Sequence, residues 1–149
     1  NLFIARTTSK SCMAGFRFGY GIGHPDIINA METLFTAPYH LSYFQLIIAK
    51  HFNLIQPHLK NLSESIIEER ERMVYQFNDM GISFIPSQAN FILFKVNNPQ
   101  AVFQQLAESG VRIRSLQTIP GLSNYVRVTI GRREENDLFL EKLKSIHVT

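Results

Sequence analysis

Thr7-Thr8-Ser9-Lys10 sets an amine beside three hydroxyls, and Arg17 follows seven residues after the lysine. Hydroxyl and backbone N–H donors with a guanidinium fork suit a phosphate dianion. A lysine held at such a place is a nucleophile toward a carbonyl carbon. At the carboxyl end of a strand the segment would also lie where open α/β sheets put their ligands. By residue type alone, Lys10 reads as a solvated loop charge. Gly19-Tyr20-Gly21-Ile22-Gly23 has the look of a nucleotide loop but not its context. The dinucleotide fingerprint needs a helix that begins within the glycines, whereas here helix signals start only at Pro25. Tight packing against another backbone is the simpler account. His24, His40, His51, His58 and His147 show no metal-ligand spacing, so no metal site is expected.

The elements that must position these residues follow from periodicity and punctuation. Leu2–Arg6 reads as a short buried strand and Phe16–Ile22 as a second. His24-Pro25-Asp26 opens a helix running to about Phe35, with Pro in the first turn and an acid beside it. Thr36-Ala37-Pro38 breaks that helix, and Ser42–Leu54 forms the next. Pro57 restarts a long helix whose apolar residues Leu59, Leu62, Ile66, Met73, Val74, Phe77 and Met80 recur at three- and four-residue steps until Gly81. Strands at 82–85 and 90–96, a helix at 99–109, strands at 111–116 and 125–130, and a helix at 133–146 complete the order. The second part resembles a self-contained α+β lobe. The first has two strands, an incomplete sheet with an exposed edge. The expected boundary lies inside the long helix, giving residues 1–64 and 65–149.

Composition narrows the function class. A 149-residue chain that is 45% hydrophobic can bury a core, and one cysteine, Cys12, excludes a disulfide scaffold. Disorder is excluded by the same numbers. No apolar stretch reaches the length of a membrane span, no secretory leader is read, and a cytoplasmic location is expected. The run from Leu2 to Ala5 reads as the middle of a fold. The whole +3 charge excess falls in residues 1–60. Those five cations are scattered and form no basic helix face, so a phosphate-bearing small molecule accounts for them as well as nucleic acid does, and neither nucleic acid nor membrane is expected as partner.

The segment from Asn1 to Tyr20, NLFIARTTSKSCMAGFRFGY, resembles the lysine segment of the fold-type-I pyridoxal-phosphate aminotransferases. The resemblance continues in family order through Thr36–Gln45 (TAPYHLSYFQ), Pro86–Phe94 (PSQANFILF), Gly110–Arg114 (GVRIR) and Pro120–Leu143. The PSQANF and YVRVTIG pair is similar to the histidinol-phosphate branch. What this implies is an α/β fold: a remnant of the large cofactor-binding domain followed by a small α+β C-terminal domain. It implies transamination between glutamate and imidazole acetol phosphate, giving histidinol phosphate, in histidine biosynthesis, by an enzyme that is a homodimer when intact.

The same resemblance assigns roles. Lys10 matches the lysine that joins pyridoxal 5'-phosphate and moves the substrate proton. Thr7, Ser9 and Arg17 match positions that bind the cofactor phosphate. Arg127 matches an arginine that grips the anionic end of the substrate, Arg114 a second one that binds the phosphate of histidinol phosphate, and Asn90 an asparagine near the substrate. By pattern alone Arg127, between Val126 and Val128, faces away from both, toward ligand or solvent. Arg112, two residues before Arg114, shares its side. Tyr39 and Ser42 fall where these dimers often meet, or simply pack a loop. The stretch from Lys10 to Arg17 is one residue shorter than usual. The acidic partner of the cofactor ring nitrogen and the glycine-rich phosphate loop belong upstream in this family, so these 149 residues are expected to be nearly inactive alone. Aromatic aminotransferases and threonine-phosphate decarboxylases share the lysine and arginines, and a non-catalytic interaction module is the reading from another class.

Overall fold

The computed structural model describes residues 2–10, 13–34, 36 and 40–146. Tyr39, Cys12 and the Ala37-Pro38 break lie outside them. Two units divide the chain between Ser63 and Glu64.

In the first unit, β1 (Ile4–Thr7) pairs antiparallel with β2 (Gly19–Ile22), Arg6 opposite Tyr20 and Thr7 opposite Gly19. The sequence suggests a buried first strand; instead all residues of both strands are exposed. Two strands make the whole sheet among the described residues, so neither outer edge has a strand partner there. β2 also starts later than its apolar pattern suggests. Ala14–Phe16 is a 3-10 turn and Arg17 is left-handed, with φ 52°, which ends any extended run there. The alternating glycines make room chiefly for a ring. A β-carbon on Gly21 would come within 2.5 Å of the Phe3 ring, and one on Gly19 within 2.9 Å of the Arg6 carbonyl. No phosphate loop is formed.

α1 (Pro25–Leu34) begins with Pro25 and Asp26 as the sequence suggests. α2 (Tyr43–Lys50) is opened by a capping box: the Ser42 hydroxyl accepts from Gln45 N–H at 3.2 Å, and Gln45 Oε1 accepts from Ser42 N–H at 2.8 Å. α3 (Phe52–Asp79) starts ahead of Pro57, which sits inside it and not at its first turn. The chain turns at His51, so the helix is already wound when it reaches the proline. The cost is one missing backbone bond near the helix start.

The second unit is built on apolar alternation. β3 (Phe84–Ile85), β4 (Phe91–Lys95), β5 (Arg114–Ser115) and β6 (Tyr125–Thr129) form an antiparallel sheet in the order β3-β4-β6-β5. Ile92, Phe94, Val126 and Val128 turn one face into the core. That face meets Met73 and Phe77 of α3, Val102 and Leu106 of α4 (Pro99–Glu108), and Phe139, Leu140 and Leu143 of α5 (Arg133–Lys144). Phe77 is the hub, its ring 5.2 Å from Phe94, 6.1 Å from Phe84 and 6.2 Å from Phe139. Gly81, at φ 68°, closes α3: Ile82 N–H reaches back to the Phe77 carbonyl at 2.9 Å, a turn only glycine makes without strain.

Polar groups tie α5 to α3. Asn136 is buried, and its amide donates to Glu69 Oε2 at 2.8 Å while its own oxygen accepts Gly131 N–H at 2.9 Å. Arg72 bonds Glu69 at 2.7 Å on one side and Asp137 at 2.7 Å on the other. The bond from Arg72 holds the Glu69 carboxyl below its ordinary value; Asn136 adds to this and burial opposes it. The native state therefore binds that proton less readily than the unfolded chain. Stability from Glu69 is complete above the ordinary carboxylate range and is lost as the pH falls through its lowered value. Denaturant unfolding across acid pH is expected to show this loss, and Glu69→Gln to flatten it. Phe77→Ala should cost about 3–5 kcal/mol in the same measurement, by opening a cavity under three rings.

Candidate functional site

β1 runs directly into a 3-10 turn, Thr8–Lys10, so the lysine sits at the end of a strand. Thr8 pins that turn. It is 4% exposed, its hydroxyl donates to the Phe18 carbonyl at 2.8 Å and its N–H to the same oxygen at 3.0 Å. The Thr8 carbonyl accepts Met13 N–H at 3.1 Å, so these buried groups are all satisfied. The Thr7 hydroxyl accepts Ser9 N–H at 3.2 Å and keeps its own proton to donate. Lys10, Thr7, Arg6, Tyr20, Leu59 and Lys60 border a cleft of about 530 Å³ within the first unit. Ser9 and Arg17 are not on its wall. Arg17 is exposed, and its guanidinium makes one long bond, 3.4 Å, to the Ala14 carbonyl. The rest of its fork is uncommitted among the described residues.

The second unit brings two further residues together. Arg114 lies directly opposite Arg127 across the β5–β6 ladder, and Leu93 opposite Arg127 on the other side. Facing positions in a ladder share a sheet face, here the face away from the core, because Val126 and Val128 occupy the buried one. Ile85, Leu93, Arg127 and Arg114 thus form one row across all four strands, apolar at one end and dicationic at the other. The Arg127 guanidinium lies over the Phe91 ring at 5.1 Å. Its Nε is buried with no hydrogen-bond partner among the described residues. Two like charges set opposite each other are destabilising, and an anion is what would relieve them. Arg112 stands apart from this pair, outside the strand, where it borders a different hollow with Gly131 and Asn136.

Asn90 directly precedes β4. Its carbonyl accepts Ile130 N–H at 2.9 Å, which locks the loop to the end of β6. Arg70 of α3 donates to the Ala89 carbonyl at 3.2 Å, and the Ser87 hydroxyl accepts Ala89 N–H at 3.1 Å. The Asn90 side-chain amide makes no hydrogen bond among the described residues and is available. Ser42 is occupied as the cap of α2.

Comparison with known proteins decides the family. Residues 1–143 match the family model for aminotransferase class I and II. The chain belongs to this family. It is 34% identical over 148 residues to the histidinol-phosphate aminotransferase of Ruminiclostridium cellulolyticum, covering 98% of this chain and 41% of that protein. The chain thus spans about two fifths of such relatives. Among solved structures, the histidinol-phosphate aminotransferase of Clostridium acetobutylicum superposes with TM-score 0.82 at 30% identity, over 98% of this chain and 46% of its own. The Sinorhizobium meliloti enzyme, solved with pyridoxal-5'-phosphate, superposes with TM-score 0.82 at 25% identity over 97% of this chain and 42% of its own. The fold is therefore part of an aminotransferase α/β structure. No helix among the described residues is long and apolar enough to cross a membrane.

Three residues that support the candidate site carry no distinguishing signal in the sequence. Thr8 hides between two hydroxyl residues of the same kind. Phe91 is on the face of Arg127 by the period of two, a signal that needs the strand register to be used. Arg70 reaches a loop 19 residues away and carries no local signal.

The facing arginines make a prediction. Inorganic phosphate is expected to raise the melting temperature of the chain, and Arg114→Gln to remove most of that rise. In phosphate-free buffer the variant should melt no lower than the parent, since one of two opposed charges is gone. A variant that melts lower without phosphate yet keeps the full rise would contradict the pairing.

Proposed function

We propose that the chain forms the cofactor-lysine segment and small substrate-binding lobe of a pyridoxal-phosphate aminotransferase acting between glutamate and imidazole acetol phosphate. The first unit is then part of the large domain and the second the small domain. The observation that carries the reading is the cross-strand pair Arg114–Arg127 on the sheet's open face. One such pair suits substrates that each carry two negative charges: glutamate on two carboxylates, histidinol phosphate on its one phosphate dianion. The names of the relatives point the same way.

The donor set of the first unit fits the cofactor. Thr7 and Ser9 supply hydroxyls, Arg17 supplies a fork with free donors, and together these suit a phosphate dianion. Lys10, on the cleft rim, presents an amine at the end of a pinned turn. Pyridoxal phosphate, when bound, supplies the electron sink that makes a substrate α-proton acidic. Lys10 Nζ would take that proton from the α-carbon as general base and deliver it, as general acid, to the cofactor carbon. Thr8 holds the turn so that Nζ keeps its position during the transfer. Arg127, stiffened by Phe91, orients the anionic end of the substrate, Arg114 holds a second anion, and the Asn90 amide offers a directional contact beside them.

Titration with pyridoxal phosphate is expected to give an absorbance band that borohydride abolishes, with the label recovered on the Lys10 peptide and absent in Lys10→Ala. A band unaffected by that substitution would refute the assignment. Glutamate turnover by the 149-residue polypeptide should be near background, because none of its motifs matches the acidic partner of the ring nitrogen; a normal rate would show that inference to be wrong.

A further inference from the structure

We propose that Gln45 is a positioning residue for Arg17, a clasp that holds the guanidinium in its phosphate-gripping place. The proposal rests on the reading of Arg17 just given.

Arg17 is the one non-glycine residue with positive φ among the described residues, at 52°. A residue with a β-carbon leaves that region unless its surroundings hold it there. The bonds of Arg17 itself, from the N–H and the guanidinium to the Ala14 carbonyl, are both long at 3.4 Å and leave the Phe16 and Arg17 carbonyls unheld. Gln45 holds them. Its Nε2 donates to the Phe16 carbonyl at 3.0 Å and to the Arg17 carbonyl at 3.3 Å, so both peptide groups flanking the strained Cα are oriented by one amide. The amide itself cannot swing away. Its Oε1 accepts Ser42 N–H at 2.8 Å in the capping box, which fixes which end of the amide faces the turn. The next residue back, Phe44, stacks on Phe16 with ring centres 5.6 Å apart and planes at 13°. The start of α2 therefore grips the turn by a ring and an amide together. This gives the Thr36–Gln45 segment a task beyond packing a loop.

The two jobs of Gln45 separate chemically. Gln45→Glu keeps an acceptor for Ser42 N–H, and an acid at this helix position is favourable. A carboxylate has no N–H to give, so the bonds to Phe16 and Arg17 are lost and replaced by repulsion. α2 stays intact and only the clasp opens.

The test compares pyridoxal phosphate with pyridoxal, which lacks the phosphate. Borohydride trapping on Lys10, measured in the full chain over a range of aldehyde concentrations, gives the affinity for each. The unsubstituted chain is expected to prefer pyridoxal phosphate. Gln45→Glu should weaken pyridoxal phosphate by about tenfold, the loss of one charge-assisted contact, and leave pyridoxal unchanged. Arg17→Ala should remove the same part of the preference. If Arg17→Ala abolishes the preference and Gln45→Glu does not alter it, the clasp is overturned while the reading of Arg17 stands. If Gln45→Glu weakens both aldehydes equally, its role is merely structural and the proposal fails. If Arg17→Ala keeps the full preference, or the unsubstituted chain shows none, the reading of Arg17 fails and the clasp with it.

Discussion

Burial of one face of the four-stranded sheet on Phe77 is the constraint from which the second unit follows. Phe94 and Phe139 close on that ring, and Val126 and Val128 must lie on the same side. Alternation along β6 then has one solution. A slip of a single residue would expose two valines and bury a guanidinium, which is far more costly than any local preference. Arg127 is thus placed by its neighbours' need to be dry. Register across the ladder then puts Arg114 in front of it, and the dicationic face of the lobe is a by-product of how its core is packed.

The first unit is held on different terms. Only Thr8, Met13 and Leu59 are buried among its described residues, and large apolar side chains such as Leu34, Tyr43, Phe44 and Leu54 stay exposed. Its order comes from hydrogen bonds that bind turns to strands: Thr8 to Phe18, Met13 to Thr8, Gln45 to Phe16 and Arg17. Such bonds are directional where hydrophobic contacts are not, and direction is what the proposed roles of Lys10 and Arg17 require. The charge surplus of residues 1–60 also has a place. Arg6 and Lys10, close together in the sequence, and Lys60, far from both, come to the border of one cleft.

Features that depend on neighbours within a few residues can be read from the chain before it folds. The helices from Pro25 and Pro99, the glycine stop at Gly81, the alternation of β4 and β6 and the incomplete first sheet were all legible, because caps, breakers and periodicity act locally. So were the residue types on offer at Thr7–Lys10, three hydroxyls and an amine. The start of α3 was not legible. Pro57 looks like a helix opening, but a turn at His51 lets the helix begin ahead of it. Tertiary structure alone decided that Arg114 and not Arg112 faces Arg127, since β5 contributes only two residues to the ladder and the pattern allows both. It also decided that Phe16 and Arg17 leave the extended path that their apolar surroundings suggest. An amide 28 residues further along reaches the carbonyls of that turn, and no local pattern records a bond across such a distance.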